Sequence, residues 1–547
     1  MPGQKNKSEI EREALSLREK ICSYWAELLL LNMLAVLPLY MHAEKYISLT
    51  GHKARYLWIS SLALFAVFAV IMLMFSGLAK PKGAPLKKTF SLPDTGIAAY
   101  WLCVVLSAVF SPVPENYFGE QNLWFFLKGY PERFDGIITI TIYVFIYFAV
   151  SRLYRNRNRD WAVFAVSACA VSLIGILQFI GWDIFELYPY GLDAPTVVGV
   201  YPYNYLDTIF RTTLGNVNIL SAYVSVGIGF FLALYMRSDK KIRFLYLAAV
   251  GLTFGLMITG GADGGKVGVL MGVALLFVLN ITDKRAISRL FLALSLGCFI
   301  SVIYPPAFAA RDYYNRTGID RRLYWGDGGF TSVWALGAVL CLAIGLAIHF
   351  SPVWIDRVKP RLAALTATAV ILLAGLLGVE IMGPRFADNY ENIIWQARET
   401  LHGNFDDGFG SGRAVLWKVS ANVIFDYPLL GSGPDAFEYS IREYQNYLRE
   451  ATNTSFDKAH NDFLQILICH GFLGLTAFLL FIFSLAAPAF RKVWDEPLMM
   501  AAVVACAAYL VQAFFGISVP MGAPLFFVMC GLAENFRIGR HKLQYNE

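Results

Sequence analysis

Fourteen runs of mostly apolar residues recur along the 547-residue chain, most of them close to the length that crosses a lipid bilayer. A helix rises 1.5 Å per residue, so about 20 such residues span the hydrocarbon core. The runs lie near 23–42, 56–78, 95–111, 136–151, 161–181, 214–236, 244–260, 265–281, 290–306, 329–350, 362–382, 463–485, 498–517 and 520–534. Three are short (265–281, 290–306 and 520–534), so the expected count is about 12–14 transmembrane helices. In lipid each backbone N–H and C=O must be satisfied within its own segment. The expected fold is therefore an all-α polytopic membrane protein with one long, partly helical external loop. The 57% hydrophobic and 16% charged content agrees, against about 45–50% and about 25% in soluble domains. A soluble enzyme, a disordered chain and a fibre are excluded. The net charge of +6 is diluted over the loops and indicates no nucleic-acid partner. The eight cysteines fall in or beside apolar runs without a Cys-x-x-Cys, so neither a disulfide framework nor a zinc site is indicated.

Charge sets the expected orientation. Met1–Lys20 is charged and helix-like with no small-residue cleavage site, and reads as a cytoplasmic lead-in. With that end inside, the inside segments hold 28 Lys/Arg and the outside ones 18, seven of them in the longest loop. Long loops follow the positive-inside rule poorly, so the bias is stronger than it first reads. A multi-pass protein of the plasma membrane with both termini cytoplasmic is expected. The chain divides into a multi-span region 1–382, a long external loop 383–462 and C-terminal spans 463–547. Two other external loops stand out, Pro112–Asp135 and Asp183–Thr213.

The long loop carries helical patterning. Arg413–Asp426 places Val415, Leu416, Val419, Val423 and Ile424 on one stripe. Tyr427-Pro428 ends it, since the residue before proline avoids the helical region. Gly431–Pro434 is a turn, and Asp435 is placed to cap a second helix reaching about Glu450. Asn461 or Asp462 then caps the span from Phe463. His460 thus sits at the outer mouth of a span, Arg413 opens a loop helix, and Arg211 precedes the span at 214–236. Arginine offers a planar fork of donors for phosphate oxygens. Histidine accepts a proton near neutral pH. Two cations and a base at one membrane boundary suit a lipid diphosphate donor and a hydroxyl acceptor. Set against this, a lone external arginine is commonly a solvated or headgroup-binding charge, and a histidine before a helix is commonly a surface residue.

Several motifs together resemble the O-antigen ligase/polymerase superfamily. They are Gly412-Arg-Ala-Val-Leu-Trp417, Phe425-Asp-Tyr-Pro-Leu-Leu-Gly-Ser-Gly-Pro434 with Phe437, Ala459-His-Asn-Asp-Phe-Leu-Gln465 and Gly471-Phe-Leu-Gly474. Upstream, Arg211-Thr-Thr-Leu-Gly-Asn-Val-Asn218 is similar to that family's element at the head of a central span. The resemblance implies a membrane glycosyltransferase with no cofactor and no metal. It implies transfer of a glycan from an undecaprenyl-diphosphate carrier to a glycan, lipid or protein hydroxyl on the outer face of the plasma membrane. Carried over by motif, His460 is the base, and Arg413 and Arg211 hold the diphosphate. Asn461, Gln465, Lys266 and Trp417 are expected to bind substrate or orient the base. The chain departs from the family at Gly260-Gly-Ala-Asp-Gly-Gly-Lys266, where a Ser-Arg-Gly element is usual, and at His470.

The chain has no Asp-x-Asp, His-Glu-x-x-His or Walker motif. Gly408–Gly412 reads as a flexible segment, and Glu27 and Glu380 as interhelix or interface partners. A polysaccharide exporter or flippase without transferase activity is the alternative class. It would more naturally place its polar residues at midspan.

Overall fold

The computed structural model describes residues 7–76, 90–179, 183–187, 210–260, 263–314, 328–352, 354, 358–387 and 392–539. All fourteen apolar runs are helical. In chain order they are α1 (Glu13–Leu39), α2 (Leu49–Met74), α3 (Leu92–Val109), α4 (Ile137–Leu153), α5 (Asn158–Phe179), α6 (Val217–Arg237) and α7 (Arg243–Gly260). After them come α8 (Asp263–Asn280), α9 (Lys284–Tyr314), α10 (Gly328–Phe350) and α11 (Pro360–Met382). The long loop contributes α12 (Ile393–Leu401), α13 (Phe409–Val423) and α14 (Gln445–Thr452), and the chain returns through α15 (Asp462–Lys492), α16 (Pro497–Ala513) and α17 (Ala523–Ile538). Among the described residues, ten helices are long and apolar enough to cross a membrane, and α4, α8 and α16 are shorter apolar helices at expected positions. The fold is thus an all-α polytopic membrane protein. Its one strand pairing among the described residues is two residues long, β1 (Phe210–Arg211) against β2 (Gly215–Asn216).

The bundle is built around α6, in which every residue from Ile219 to Met236 is buried. Helices α7, α8 and α16 pack along it, α15 lies along α3, and α17 along α4. At the rim, α10 and α11 leave most of their apolar side chains open, Leu365 at 69% exposure among them. Apolar surface of that extent marks a face that contacts lipid or another protein, and on helices of membrane-spanning length it fits lipid.

The two ends of the bundle differ. At one end charges pair across helices. Glu27 takes Arg157 and Arg159, Asp94 and Glu534 take Arg152, and Asp283 takes Arg237. The interhelix role expected of Glu27 is therefore what the structure shows. Glu380 pairs with His402 and Arg398 at the other end. That other end carries 383–462, the loop 112–135 and the connector between α16 and α17.

Candidate functional site at the mouth of helix 15

The long loop folds as a small unit on the head of α15. The stripe Val415, Leu416, Val419 and Val423 is buried against Phe437, Ile441, Leu448 and Phe456, with Ile468 of α15 closing the cluster. The second loop helix is not continuous. It breaks into Phe437–Ser440, a 3-10 turn Arg442–Tyr444 and α14. Nor does Asp435 cap it. Asp435 adopts φ 60°, and its carboxylate turns away to accept from the backbone N–H of Tyr130 (2.7 Å) and Asp135 (3.2 Å). Those partners lie some 300 residues upstream, which no local pattern reports.

Helix α15 is interrupted at Gly471 (φ 67°, ψ −174°). A break in a membrane helix strands carbonyls that must find donors. The turn from Pro428 to Gly433 supplies them. Ser432 N–H donates to Ile468 O (3.0 Å) and Gly433 N–H to Cys469 O (3.0 Å). In return Phe472 N–H donates to Pro428 O (2.8 Å). The chains touch so closely that a Cβ at Gly471 would run into the Leu429 carbonyl, and one at Gly431 into the Cys469 backbone. His470, the departure from the family pattern, packs inside the bundle. Its Nδ1 lies 3.1 Å from Ser107 Oγ and its ring meets the Tyr100 ring edge-on.

His460 stands on a strap fixed from both sides. Trp417 Nε1 donates to Ala459 O (3.0 Å), and Ala459 N–H donates to Gln465 Oε1 (2.9 Å). Asn461 caps α15, its Oδ1 accepting from Leu464 N–H (3.1 Å). Between them His460 takes a left-handed backbone (φ 49°), which is uncommon for a residue with a Cβ. Its Nδ1 is buried with no hydrogen-bond partner. Trp417, Asn461 and Gln465, read above as substrate ligands or orienters of the base, are engaged here in holding the strap. The expected cap at Asn461 is the observed one.

Arg413 reaches the same place through a sharp bend. Gly410, Ser411 and Gly412 all have left-handed φ (64°, 59° and 81°), and Arg413 Nη1 donates to Gly410 O (2.8 Å). The Gly408–Gly412 segment is therefore a defined turn and not a flexible one. The Arg413 charge acts on His460. Burial first, and Arg413 next, push the imidazole pKa down to about 4.

Sequence reasoning missed the charged cluster beneath the strap. Lys458 is buried, with Nζ 2.6 Å from Asp435 Oδ1 and 3.5 Å from Asp135 Oδ2. Burial alone would lower the Lys458 pKa, but the two carboxylates outweigh it and the pKa is raised. Arg133 grips Asp457 through two hydrogen bonds of 2.8 and 3.0 Å. The available signal was weak, a lysine two residues before His460 and next to Asp457 in a mostly polar stretch. Below the cluster, a cavity of about 50 Å³ is lined by Asp135, Asp435, Lys458 and Asp462. It holds a few waters at most and cannot take a sugar or a diphosphate.

The upstream element comes to the same end of the molecule. Arg211 pairs with Gly215 in the short hairpin before α6; its side chain lies outside the described residues, as do 188–209 of the Asp183–Thr213 loop. Ile219 at the head of α6 packs on Ile517, Val519 and Met521, and Ser518 N–H donates to Asp462 Oδ1 (2.6 Å). Lys266 sits in the first turn of α8, where a Cβ at Gly264 would stand 3.5 Å from Phe515. Phe515 also packs on Trp417, so the heads of α6, α8 and α15 converge there. Residues 261–262 and the Asp263 side chain of the departed segment lie outside the described residues. Among the described residues, one metal-ligating set is close enough to share an ion, His42 and Glu44 on the α1–α2 connector with His52 in the first turn of α2. Its two imidazoles stack in parallel (3.7 Å, 7°), so their in-plane lone pairs do not converge.

The chain is thus a polytopic helical bundle that mounts a histidine and an arginine on a folded loop at one of its ends. Residues 248–479 match the family model described as O-antigen ligase, the superfamily that the motifs resemble. The matched stretch contains Lys266, Arg413, Trp417, His460, Asn461 and Gln465, while Arg211 lies before it. No curated protein matches the chain. The match supports a membrane enzyme of O-antigen ligase-like glycosyltransferase type.

Proposed function

We propose that this chain transfers a glycan from an undecaprenyl-diphosphate carrier to an acceptor hydroxyl at the outer face of the plasma membrane, with residues 383–462 as its catalytic loop. The acceptor is a glycan, lipid or protein hydroxyl. His460 takes the proton of that hydroxyl as its oxygen attacks C1 of the donor sugar. The bond from C1 to the diphosphate oxygen breaks, and the leaving diphosphate departs with both electrons of that bond. Arg413 and Arg211 neutralise the charge that grows on it, which stabilises the transition state more than the ground state. Lys266 is a further cation for the donor. Trp417, Asn461 and Gln465 keep the base in place, and Gln465 and Trp417 border the acceptor side.

The observation that carries this reading is the His460 imidazole, kept neutral by burial and by the Arg413 charge beside it. A neutral imidazole is a base; a cation beside it repels the proton and attracts a diphosphate. The strap geometry argues against a pure exporter, since the functional groups gather at one boundary and not at midspan.

His460→Ala and Arg413→Ala are expected to lower transfer in proteoliposomes by at least a hundredfold, while both proteins still insert and bind the lipid-linked donor. Full transfer by either variant would refute its assigned role. Transfer that persists in EDTA fits the metal-free scheme, and transfer abolished by EDTA and restored by a divalent cation contradicts it.

A further inference from the structure

At the end of the bundle opposite His460, the helices part. A cavity of about 450 Å³ opens between the C-terminal ends of α8 and α15 and the N-terminal end of α11. That volume lies within the roughly 300–1,000 Å³ of ordinary ligand pockets. Its walls are apolar, with Leu275, Leu279, Leu365 and Phe490 among them, and its mouth carries Arg361 and Arg491. The indole of Trp494 stands at the rim, donating to Leu279 O (2.7 Å), as interfacial tryptophans do.

The two arginines differ from their neighbours. At this end Arg157 and Arg159 hold Glu27, Arg152 holds Asp94, Arg237 holds Asp283 and Arg289 holds Asp239. Among the described residues neither Arg361 nor Arg491 has an ion-pair or hydrogen-bond partner, and no carboxylate lines the cavity. Asp495 and Glu496 follow Trp494 in sequence but do not border the cavity. Lys359, two residues before Arg361, adds an exposed cation at the head of α11. An apolar trough at headgroup depth with unpaired guanidinium groups at its mouth is complementary to one kind of molecule.

We propose that this cavity is a binding site for a diacyl phospholipid with an anionic headgroup. The phosphate lies between Arg361 and Arg491, and an acyl chain lies along Leu275, Leu279, Leu365 and Phe490. Basic pockets between membrane helices recognise lipid phosphates in this way. The bound lipid fills the gap between α11 and the rest of the bundle, which protein atoms leave open. The site is separate from the transfer site and does not depend on the function proposed for it.

The test uses the full chain, purified and delipidated in detergent, with native mass spectrometry as the readout. Dioleoylphosphatidylglycerol is expected to bind in preference to dioleoylphosphatidylcholine. Arg361→Gln with Arg491→Gln should weaken the phosphatidylglycerol affinity roughly thirtyfold, about fivefold per arginine. Arg361→Lys with Arg491→Lys keeps the charge and should keep most of the binding. Lys240→Gln with Lys241→Gln, exposed cations at the same end, should leave it unchanged. Equal binding of the two lipids by the wild-type chain would overturn the proposal without recourse to any variant. An equal loss in the Lys240/Lys241 variant would show diffuse attraction and overturn it as well. Displacement of the lipid by millimolar inorganic phosphate would reduce the site to an anion site, against the lipid assignment.

Discussion

His460 keeps a ring nitrogen buried without a partner, in a backbone conformation that a residue with a Cβ seldom adopts. Such a group is poised for a ligand or a proton. Its pKa is lowered to about 4, first by burial and then by Arg413, while Asp457 pulls the other way. The neutral, basic form therefore persists well below the ordinary histidine range. The expected kcat/KM profile for transfer is flat from pH 8 down to about 5.5 and falls only as pH approaches 4. A profile with its midpoint near 6.5 would show that the base is not this histidine in this environment. The same shift acts on stability. The unfolded chain takes up the proton near the ordinary value of about 6.5 and the folded one near 4. Stability from this group is present above pH 6.5 and declines as pH falls between those values. Recovery of activity on return to pH 7 separates titration of the base from unfolding. Lys458 belongs at this scale too. Paired with Asp435 and Asp135 in a buried setting, it fixes the strap two residues from His460.

At the scale of elements, the decisive feature is the interrupted helix α15 and the loop turn laid into its break. Gly471 has a conformation open in practice only to glycine, and a side chain there meets the Leu429 carbonyl. Gly471→Ala is expected to destabilise the fold by roughly 1–3 kcal/mol and to lower transfer by displacing Pro428–Gly433 and with it the strap. Gly378→Ala on lipid-facing α11, where a Cβ meets nothing within 4 Å, should leave both unchanged. Thermal unfolding of the two variants in one detergent makes the comparison, and matching stabilities would remove the docking role. These elements also show what a sequence can report. The spans were legible because the length that crosses a bilayer is a local property. The stripe of α13 was legible from the three- and four-residue spacing within it, and the Asn461 cap because its partner Leu464 lies three residues on. The role of Asp435 was not, because its carboxylate accepts from backbone N–H groups in 112–135. The left-handed turn at Gly410–Gly412 read as flexibility because glycine signals freedom locally, while the conformation is set by Gln396 and Arg413. Of the site, His460 and Arg413 were legible as residue types, and the Lys458 cluster was hidden by tertiary pairing.

The whole molecule sorts its charge by end. One end neutralises arginines in interhelix pairs, and the other gathers the folded loop, the His460 strap and the heads of α6 and α8. A single-sided arrangement of this kind functions only if that side faces the compartment where the acceptor lies. The Lys/Arg bias along the chain, 28 against 18, argues that the His460 end is outside and both termini are inside. The two exposed lysines Lys418, on the loop, and Lys240, between α6 and α7, give the bias a direct check. In a chain whose eight cysteines have been replaced, Lys418→Cys is expected to react with a membrane-impermeant maleimide on intact cells. Lys240→Cys should react only after the membrane is opened. The native cysteines lie within helices and their replacement by serine or alanine leaves the loop surface unaltered. The reverse labelling pattern would place the histidine in the cytoplasm, where no outer-face acceptor could reach it, and would end the proposed transfer along with the orientation.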